Sequence, residues 1–570
     1  MSPMRMISLR IQPFINLIDQ KLIMKNHIVL LASALLFGAA TVQAQDDSGL
    51  NDARIVIEKN RTNTVQSEER SFEKIAPVPQ GKNQPIMLNY SPVEFKASLD
   101  PLEPTIRVTG LKSEKLPHSK NGYFELGVGN YLNTYAQGYA NTIRKKNMDA
   151  GVYLKHFSAL QGPVDGNNSS SSENEIAGLL NYYTKKATIN TKLGYERWAN
   201  KFYGYPAGTE VNDAQLKQHF NFINFETKVE GTDQSAPLAF KGGMDYHFTG
   251  DRFNASEHLV KLDGDFAYRT GEIWQPGVML KMDYANRQDS LASEGRLGLQ
   301  IIPNVRLVFD QFDLSLGLNF AYQNDSTENL DNFMVFPYFS GTYKMSEYFG
   351  LFASLKGDMQ FNSLYNVVRY NPWMAPEFSL QNAATPFDFS IGGKGKFSHY
   401  LNYSASLGVK QINNLMTVVN NPMDQAQFLT AYDSGKTTVF HVAAHLAYEL
   451  NQIAAGTDFR YNNYSTSTLE AAFHLPTLDW NFWGKYRYDD KLSFSTQLHI
   501  LGGLKALAPT TNEVTNLKTI VDLGVRADYQ LNERFGAFAK IDNLLAQKYE
   551  RFQYYPVRGF QLMVGASVTF

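Results

Sequence analysis

The chain has 570 residues and a formal net charge of −2, so it lacks the basic excess expected of a nucleic-acid-binding protein. It contains no Cys, which excludes disulfide scaffolds, zinc fingers, thiol catalysis and a lipid-modified N-terminal Cys. Its 32 Tyr, 38 Phe and 41 Gly favour β structure, because aromatic residues suit strands and Gly suits turns.

The N-terminus has the pattern of a secretory signal peptide. Residues 28–40 are a mostly apolar run between Lys25 and the small-x-small cleavage site Val42-Gln43-Ala44. We expect residues 1–44 to be removed on export, with Met24 as an alternative start of translation. No other apolar run approaches the length of a membrane-spanning helix, which excludes a helical multi-span transporter.

Residues 45–121 form a Pro-rich segment. They include 7 Pro but only 3 Gly among 77 residues. Pro at this density favours an extended, polyproline-like chain over a packed domain. We therefore expect a short extended segment that lies in the periplasm or threads the lumen of the barrel formed by the remaining residues.

Residues 122–570 predict antiparallel strands with one apolar and one polar face. In residues 521–529, Val and Leu alternate with Asp, Gly and Arg, and residues 260–269 and 478–488 follow the same pattern, with Trp483 as an exception. In a membrane barrel the charged face must line the lumen, because a charge on the lipid face costs up to roughly 2–4 kcal/mol at mid-depth. The charges predicted to face the lumen are Lys261, Asp263, Asp265, Asp522, Arg526 and Asp528.

Short turns and longer polar connections alternate along this region, which gives a strand count. Ten short turns divide the region into eleven hairpins, so we predict a single antiparallel transmembrane β-barrel of about 22 strands that starts near Gly122. The short turns are predicted at 143–149, 184–188, 230–235, 269–275, 309–313, 344–349, 397–401, 449–453, 489–491 and 530–534. The longer connections are predicted at 159–173, 200–217, 361–385, 412–436, 464–478, 503–517 and 544–557.

One of these connections, 361–385, is unusually aromatic and carries Pro372 and Pro376. That composition favours a packed loop folded over or into the barrel mouth rather than a solvated tip. A barrel of this width needs such an occlusion, because an open lumen would leak periplasmic contents. Residues 45–121 or a separate protein are the alternative occluding elements.

No catalytic, cofactor-binding or metal site is predicted, and we expect no enzyme activity. The sequence has no nucleophile elbow, zinc-protease motif or phosphate loop, and Gly392-Gly393-Lys394-Gly395 lies in an alternating strand segment. His441 and His445 share a lumen-facing side of one strand, but four residues span about 13 Å, too far for one metal ion to bridge. His474 lies in a predicted loop and has no assigned role.

The last strand predicts the membrane in which the barrel resides. Residues 560–570 alternate strictly and end the chain on an aromatic residue, a pattern typical of outer-membrane barrels. With the export signal, this predicts residence among lipids in the outer membrane of a Gram-negative bacterium. The strand is also the predicted barrel-closing element and the signal for the outer-membrane assembly machinery, through Phe560, Leu562, Val564, Val568 and Phe570.

About the last 50 residues carry a more specific resemblance. The segments concerned are Arg526-Ala-Asp-Tyr529, Phe535-Gly-Ala-Phe538, Ile541-Asp-Asn-Leu-Leu545, Lys548-Tyr549, Tyr555-Pro556 and Gly559. They resemble the closing strands of TonB-dependent receptors, outer-membrane barrels that take up scarce solutes. Lys155-His156 and Gly162-Pro-Val-Asp165 also resemble a branch of that family without the usual plug domain.

The N-terminal segment departs from the family pattern. Its 77 residues are roughly half of what the family's plug requires, so a normal plug is not expected. Ile55-Val56-Ile57 resembles the short motif that adds a strand to an energy-coupling partner, although the trio also fits a stray apolar stretch in a linker. Without a plug, the family's coupled transport cycle is in doubt.

The resemblance implies receptor-like uptake or transport of a solute. The alternatives are a binding or assembly subunit of an envelope complex with a periplasmic partner, and a passive channel. A passive channel is the weaker alternative, because 22 strands exceed the usual diffusion pore.

Overall fold

The structure, a computed structural model, describes residues 121–142, 147–269, 273–290, 293–325 and 330–570. The signal peptide, the Pro-rich segment up to residue 120 and the Ile55-Val56-Ile57 trio lie outside these ranges, so they remain predictions.

The described residues form a closed antiparallel β-barrel of 22 strands, which confirms the predicted fold. Each barrel strand pairs with the next one along the chain, and the last strand pairs with the first, placing Tyr123 opposite Thr569. Closure leaves no strand edge with unpaired backbone groups, which is the requirement for a sheet inside a bilayer. Among the described residues, no helix is long and apolar enough to cross a membrane.

The strands are numbered in chain order, and β20–β21 and β24–β25 are small hairpins separate from the ring. Strands β1 to β10 are Gly122–Gly129, Asn133–Asn141, Met148–Ala159, Ser171–Tyr183, Ala187–Lys201, Lys217–Gly231, Leu238–Asp251, Ser256–Tyr268, Trp274–Gln288 and Ser293–Val308. Strands β11 to β19 are Phe312–Gln323, Phe333–Lys344, Phe349–Gln360, Ala383–Phe397, Leu401–Asn420, Phe428–Leu450, Ile453–Ser465, Leu478–Arg487 and Leu492–Gly502. Strands β20 to β26 are Lys505–Leu507, Val514–Asn516, Ile520–Gln530, Phe535–Asp542, Glu550–Phe552, Tyr555–Pro556 and Gln561–Thr569. The α-helices are α1 (Asp213–Leu216) and α2 (Leu364–Tyr370), and single 3-10 turns lie at Asn130–Leu132 and Gly166–Ser169.

Each of the ten predicted short turns overlaps a connection between two consecutive barrel strands, and β1 begins at Gly122. One predicted long connection, 412–436, is wrong for most of its length. β15 continues to Asn420 and β16 begins at Phe428, so only 421–427 is a turn. The two strands remain paired beyond a bulge, in which Asn414, whose φ is 62°, lies opposite Ser434 and Gly435 of β16.

The two faces of the strands follow the predicted alternation. In β26, Leu562 and Val564 are exposed on the outside, whereas Met563 is buried on the inside. The long connections leave the barrel at one end and the ten short turns at the other. In outer-membrane barrels the long connections are extracellular, so we take the end with the long connections as the outer mouth.

Candidate functional site

The candidate functional site is the outer mouth of the barrel, which residues 361–382 cross on the inside. We call residues 361–382, which connect β13 to β14, the inner loop. Its centre is α2, which begins after Ser363, whose hydroxyl accepts a hydrogen bond from the Asn366 N–H at 3.3 Å. The helix ends before Asn371, as expected for a residue followed by Pro372.

The first turn of α2 is held by a carboxylate from the barrel wall. Glu257 of β8 is fully buried and accepts hydrogen bonds from the backbone N–H groups of Leu364 at 2.9 Å and Tyr365 at 3.1 Å. These N–H groups have no partner within the helix, so Glu257 satisfies them and fixes the start of α2 against β8.

The last turn of α2 is held by an ion pair to β5. The Arg369 guanidinium contacts both carboxylate oxygens of Glu196 at 2.6 Å and lies 4.9 Å from the ring centroids of Trp198 and Phe222. Burial lowers the pKa of Arg369, but the electrostatic attraction of Tyr365 and Glu196 exceeds the effect of burial, so the pKa of Arg369 is raised above its usual value. Arg369 therefore stays charged, and its pair with Glu196 fixes this end of α2.

The inner loop then reaches the opposite wall. Phe428 of β16 donates its N–H to the Trp373 carbonyl at 2.9 Å and accepts from the Ala375 N–H at 2.8 Å. β5 and β16 lie eleven strands apart in a ring of 22, which puts them on opposite sides of the barrel. Residues 369–375 therefore cross the mouth, and the prediction that this connection folds into the barrel is confirmed.

Buried polar contacts tie the flanks of the inner loop to intermediate strands. Arg287 of β9 donates to the Phe378 carbonyl at 2.7 Å. Arg296 of β10 is 1% exposed and donates to the Asn362 carbonyl and to the Asn382 side chain, the latter at 3.3 Å. A buried guanidinium is stable only with such partners, so each contact fixes the loop to the wall.

An apolar cluster fills the mouth around these polar ties. We call it the mouth cluster; it combines side chains from β6, the inner loop, β15, β16 and the connection after β23. The partly buried Trp373 packs against it, with its ring tilted by 31° to that of Tyr555 and the ring centroids 4.1 Å apart. Close packing of these large side chains excludes water from the interior of the cluster. Its buried members are Phe220, Phe222, Leu364, Val367, Val368, Met374, Phe378, Leu380, Val418, Phe428, Phe552 and Tyr555.

His474 joins three of the outer connections, a role that the sequence analysis missed. Its Nδ1 lies 2.9 Å from the Val418 carbonyl, and its Nε2 accepts the Gln553 N–H at 3.2 Å. Its own carbonyl accepts from the Tyr370 hydroxyl and from Arg551, both at 2.7 Å. The only local signal was a His within an aromatic, Pro-containing loop, which does not specify these partners.

The electrostatic setting keeps His474 neutral. Burial lowers its pKa to about 4; the Val418 carbonyl opposes this change and the nearby Arg551 adds to it. A neutral ring with a proton on Nδ1 can donate to Val418 and accept from Gln553 at the same time. Protonation of Nε2 would remove the acceptor for the Gln553 N–H.

Below the mouth cluster, the lumen wall is lined by pairs of opposite charge. Arg526 contacts Glu125 at 2.8 Å and Asp528 at 2.7 Å, as expected for charges on the inner face. His441 and His445 also face the lumen as predicted, where they contact Asp388 at 3.1 Å and Asp458 at 2.8 Å. Within the described residues, no group of three His, Cys, Asp or Glu side chains is arranged to hold a metal ion.

The predicted C-terminal residues lie at the seam of the ring. Leu562, Val564 and Phe570 are exposed on the outer surface, and the Phe570 carbonyl accepts the N–H groups of Asn121 and Gly122. The Phe560 carbonyl accepts from the Asn130 side chain at 2.7 Å. Val568 lies opposite Phe124 of β1 and Phe535 of β23. Recognition of this strand by assembly machinery stays a prediction.

Comparison with protein-family models gives no match, and comparison with the sequences of curated proteins gives none either. Solved structures, by contrast, share the fold. A ferric enterobactin receptor variant of Pseudomonas aeruginosa matches with a TM-score of 0.58 and 11% identity, covering 80% of this chain and 81% of that one. The FrpB iron transporter of Neisseria meningitidis matches with a TM-score of 0.61 and 10% identity over 80% and 82% of the two chains. FpvA of Pseudomonas aeruginosa, bound to an iron–pyoverdine complex, matches with a TM-score of 0.59 and 13% identity over 80% and 72%.

Proposed function

We propose that this chain is a transport barrel of the TonB-dependent receptor type in the outer membrane of a Gram-negative bacterium. The closed 22-strand barrel supports this proposal, as do the motifs of the last strands and the fold shared with receptors and an iron transporter. These similar structures are receptors and transporters, which is consistent with a function without catalysis.

The observation that carries the proposal is the inner loop that crosses the mouth. A diffusion pore keeps its lumen open, whereas wide barrels that take up scarce solutes keep theirs plugged. Here the inner loop crosses from β5 to β16 and is bonded to both walls. The inner loop therefore obstructs the path from the outer mouth into the lumen, and we infer that displacement of this loop is a step of transport.

The periplasmic side of the proposal concerns residues 45–121. We propose that this segment lies in the periplasm or lumen and that Ile55-Val56-Ile57 pairs edge-on with an energy-coupling protein. Strand addition needs an extended segment with alternating side chains, which a β-branched trio in a Pro-rich chain supplies. Pairing of this kind would provide the work that releases the inner loop.

A permeability assay tests the proposal with a probe that intact outer membranes exclude. Cells that produce the variant lacking residues 363–382 should become sensitive to vancomycin, while cells with the full chain stay resistant. A matched control deletes residues 508–513 from the connection between β20 and β21, outside the mouth cluster. If a correctly folded variant lacking 363–382 leaves cells resistant, the inner loop is not the barrier in this barrel, and the observation that carries the transport proposal is lost.

A further inference from the structure

A cluster of basic side chains lies on the outside of the barrel, at the rim of the outer mouth. We call Arg197, Lys201, Lys217 and Arg252 the rim patch. Glu196 and Trp198 point into the barrel, so Arg197 between them points outward, and register places Lys201 directly opposite Lys217. Arg252 follows β7 and donates to the Lys217 carbonyl at 2.9 Å, which brings it to the same place.

The rim patch is only partly neutralised by the groups around it. Asp213 bridges Lys201, at 2.6 Å, and Lys217. Arg197 donates to the neutral Asn221 side chain at 3.2 Å. Lys201 is largely buried and also donates to the Asn167 carbonyl at 2.8 Å, whereas Arg252 donates to the Ala214 carbonyl at 2.6 Å. The patch therefore holds more positive than negative charge, and like charges placed opposite each other on a sheet repel. A bound anion would relieve this repulsion.

The height of the patch on the barrel indicates where such an anion would come from. Directly below Arg197 on the outer surface, Tyr195 of β5 lies between Ile176 of β4 and Ile223 of β6, whose side chains are 55% and 42% exposed. Leu193, the next outward residue of β5 below Tyr195, is 56% exposed. Exposed aliphatic side chains mark the acyl region of the bilayer, and Tyr marks its interface with the headgroups. The rim patch therefore lies at the level of the headgroups of the outer leaflet.

The neighbouring strands carry polar groups at the same height. His156 of β3 contacts Asn174 of β4 through Nδ1 at 2.7 Å and Thr134 of β2 through Nε2 at 3.1 Å. Asn174 lies opposite Arg197 in the strand register. The hydrogen-bonding row therefore continues around the outer surface from β2 to β6 and offers neutral donors beside the charged ones.

We propose that the rim patch binds the phosphate groups of an anionic glycolipid in the outer leaflet, with the acyl chains of the lipid against the aliphatic rows below. Guanidinium and ammonium groups pair with phosphate through charge-assisted hydrogen bonds. The adjoining apolar rows favour an amphiphilic phosphate over a free one. The inference rests on the proposed location in the outer membrane, but not on transport.

Native mass spectrometry of the purified full chain in detergent tests the proposal, with diphosphoryl lipid A as the probe. The Arg197→Gln, Lys217→Gln, Arg252→Gln triple variant should retain at least about tenfold less lipid A, since it loses three of the basic side chains that would contact the phosphate groups. The matched control replaces Lys505, Lys518 and Lys548 by Gln; all three are exposed on outer connections elsewhere, and this variant should bind like the wild type. Dephosphorylated lipid A should bind the wild type as weakly as diphosphoryl lipid A binds the triple variant.

Three results would overturn the proposal. The first is equal retention of lipid A by the wild type and the triple variant. The second is binding of dephosphorylated lipid A to the wild type as tight as that of diphosphoryl lipid A, and the third is binding of inorganic phosphate to the wild type as tight as that of the lipid. Heat-modified gel mobility shows whether the triple variant is folded; if it is not, Arg197→Gln alone, at an exposed side chain bonded to a single amide, should still weaken binding severalfold. The assay uses purified protein and no transported solute, so its outcome does not depend on the transport proposal.

Discussion

Replacement of Arg369 by Met should greatly increase the frequency with which the mouth of the barrel opens. Arg369 holds α2 to β5 through both oxygens of Glu196, and the variant leaves that buried carboxylate with the Asn224 amide as a donor at 2.8 Å. Removing one partner of a buried ion pair costs about 3–5 kcal/mol. Because the Arg369 side chain is 27% exposed, the lower figure applies. A change of about 3 kcal/mol shifts the balance between the closed and released inner loop roughly a hundredfold.

Single-channel recording in planar bilayers measures this shift as the frequency of openings. Arg306→Met is the matched control, because Arg306 makes the same two-point contact with Asp313, at 2.8 and 2.6 Å, but its side chain is 50% exposed. Exposed pairs contribute about 0.2–1 kcal/mol, so the control should change the opening frequency no more than about fivefold.

A double variant separates the lost charge pair from lost packing. Glu196→Leu combined with Arg369→Met removes both charges, so no unpaired carboxylate remains buried and openings should return toward the wild-type frequency. If a correctly folded Arg369→Met protein opens no more often than Arg306→Met, the ion pair does not hold the mouth closed and the reasoning is refuted.

Three further predictions concern the same end of the barrel. Deleting residues 363–382 should raise single-channel conductance, because the segment that crosses the lumen is removed; unchanged conductance would contradict the occlusion. Asp433→Ala should speed proteolysis within 466–477. Asp433 accepts hydrogen bonds from the N–H groups of Ser467, Thr468 and Leu469, and the loss of such buried hydrogen bonds costs about 3 kcal/mol in total. Equal cleavage rates in the variant and the wild type would exclude this anchoring role. Acidification from pH 6.5 to 4 should loosen the mouth cluster. His474 binds a proton near pH 6.5 when the cluster is open, whereas the packed side chain binds one only near pH 4. The stability that His474 contributes to the packed cluster is therefore fully present above pH 6.5 and falls by about 3 kcal/mol toward pH 4. Opening frequency against pH measures this effect, and His474→Gln should remove most of it; an unchanged pH profile in that variant would assign the effect to another group.

Much of the barrel was predictable because its signals are local. Alternation in 521–529 or 560–570 reports which side chains face lipid, and a polar turn such as 530–534 reports where a strand ends. The prediction for 412–436 was wrong because polar composition does not distinguish a loop from a hairpin that rises above the membrane. There, the pairing of residues 415–420 with 428–433 decides the structure, and its register differs by one residue from that below Asn414.

The sequence by itself determined a 22-strand barrel with an inward-facing polar surface, and the aromatic, Pro-containing inner loop indicated the element that closes it. The identity of the contacts that hold this loop was decided only by the tertiary structure. Arg369 meets Glu196 across 173 residues of sequence, and His474 meets Gln553 across 79. No local pattern encodes such pairs, because they become neighbours only when the ring closes and brings β5, β16 and the outer connections around one lumen.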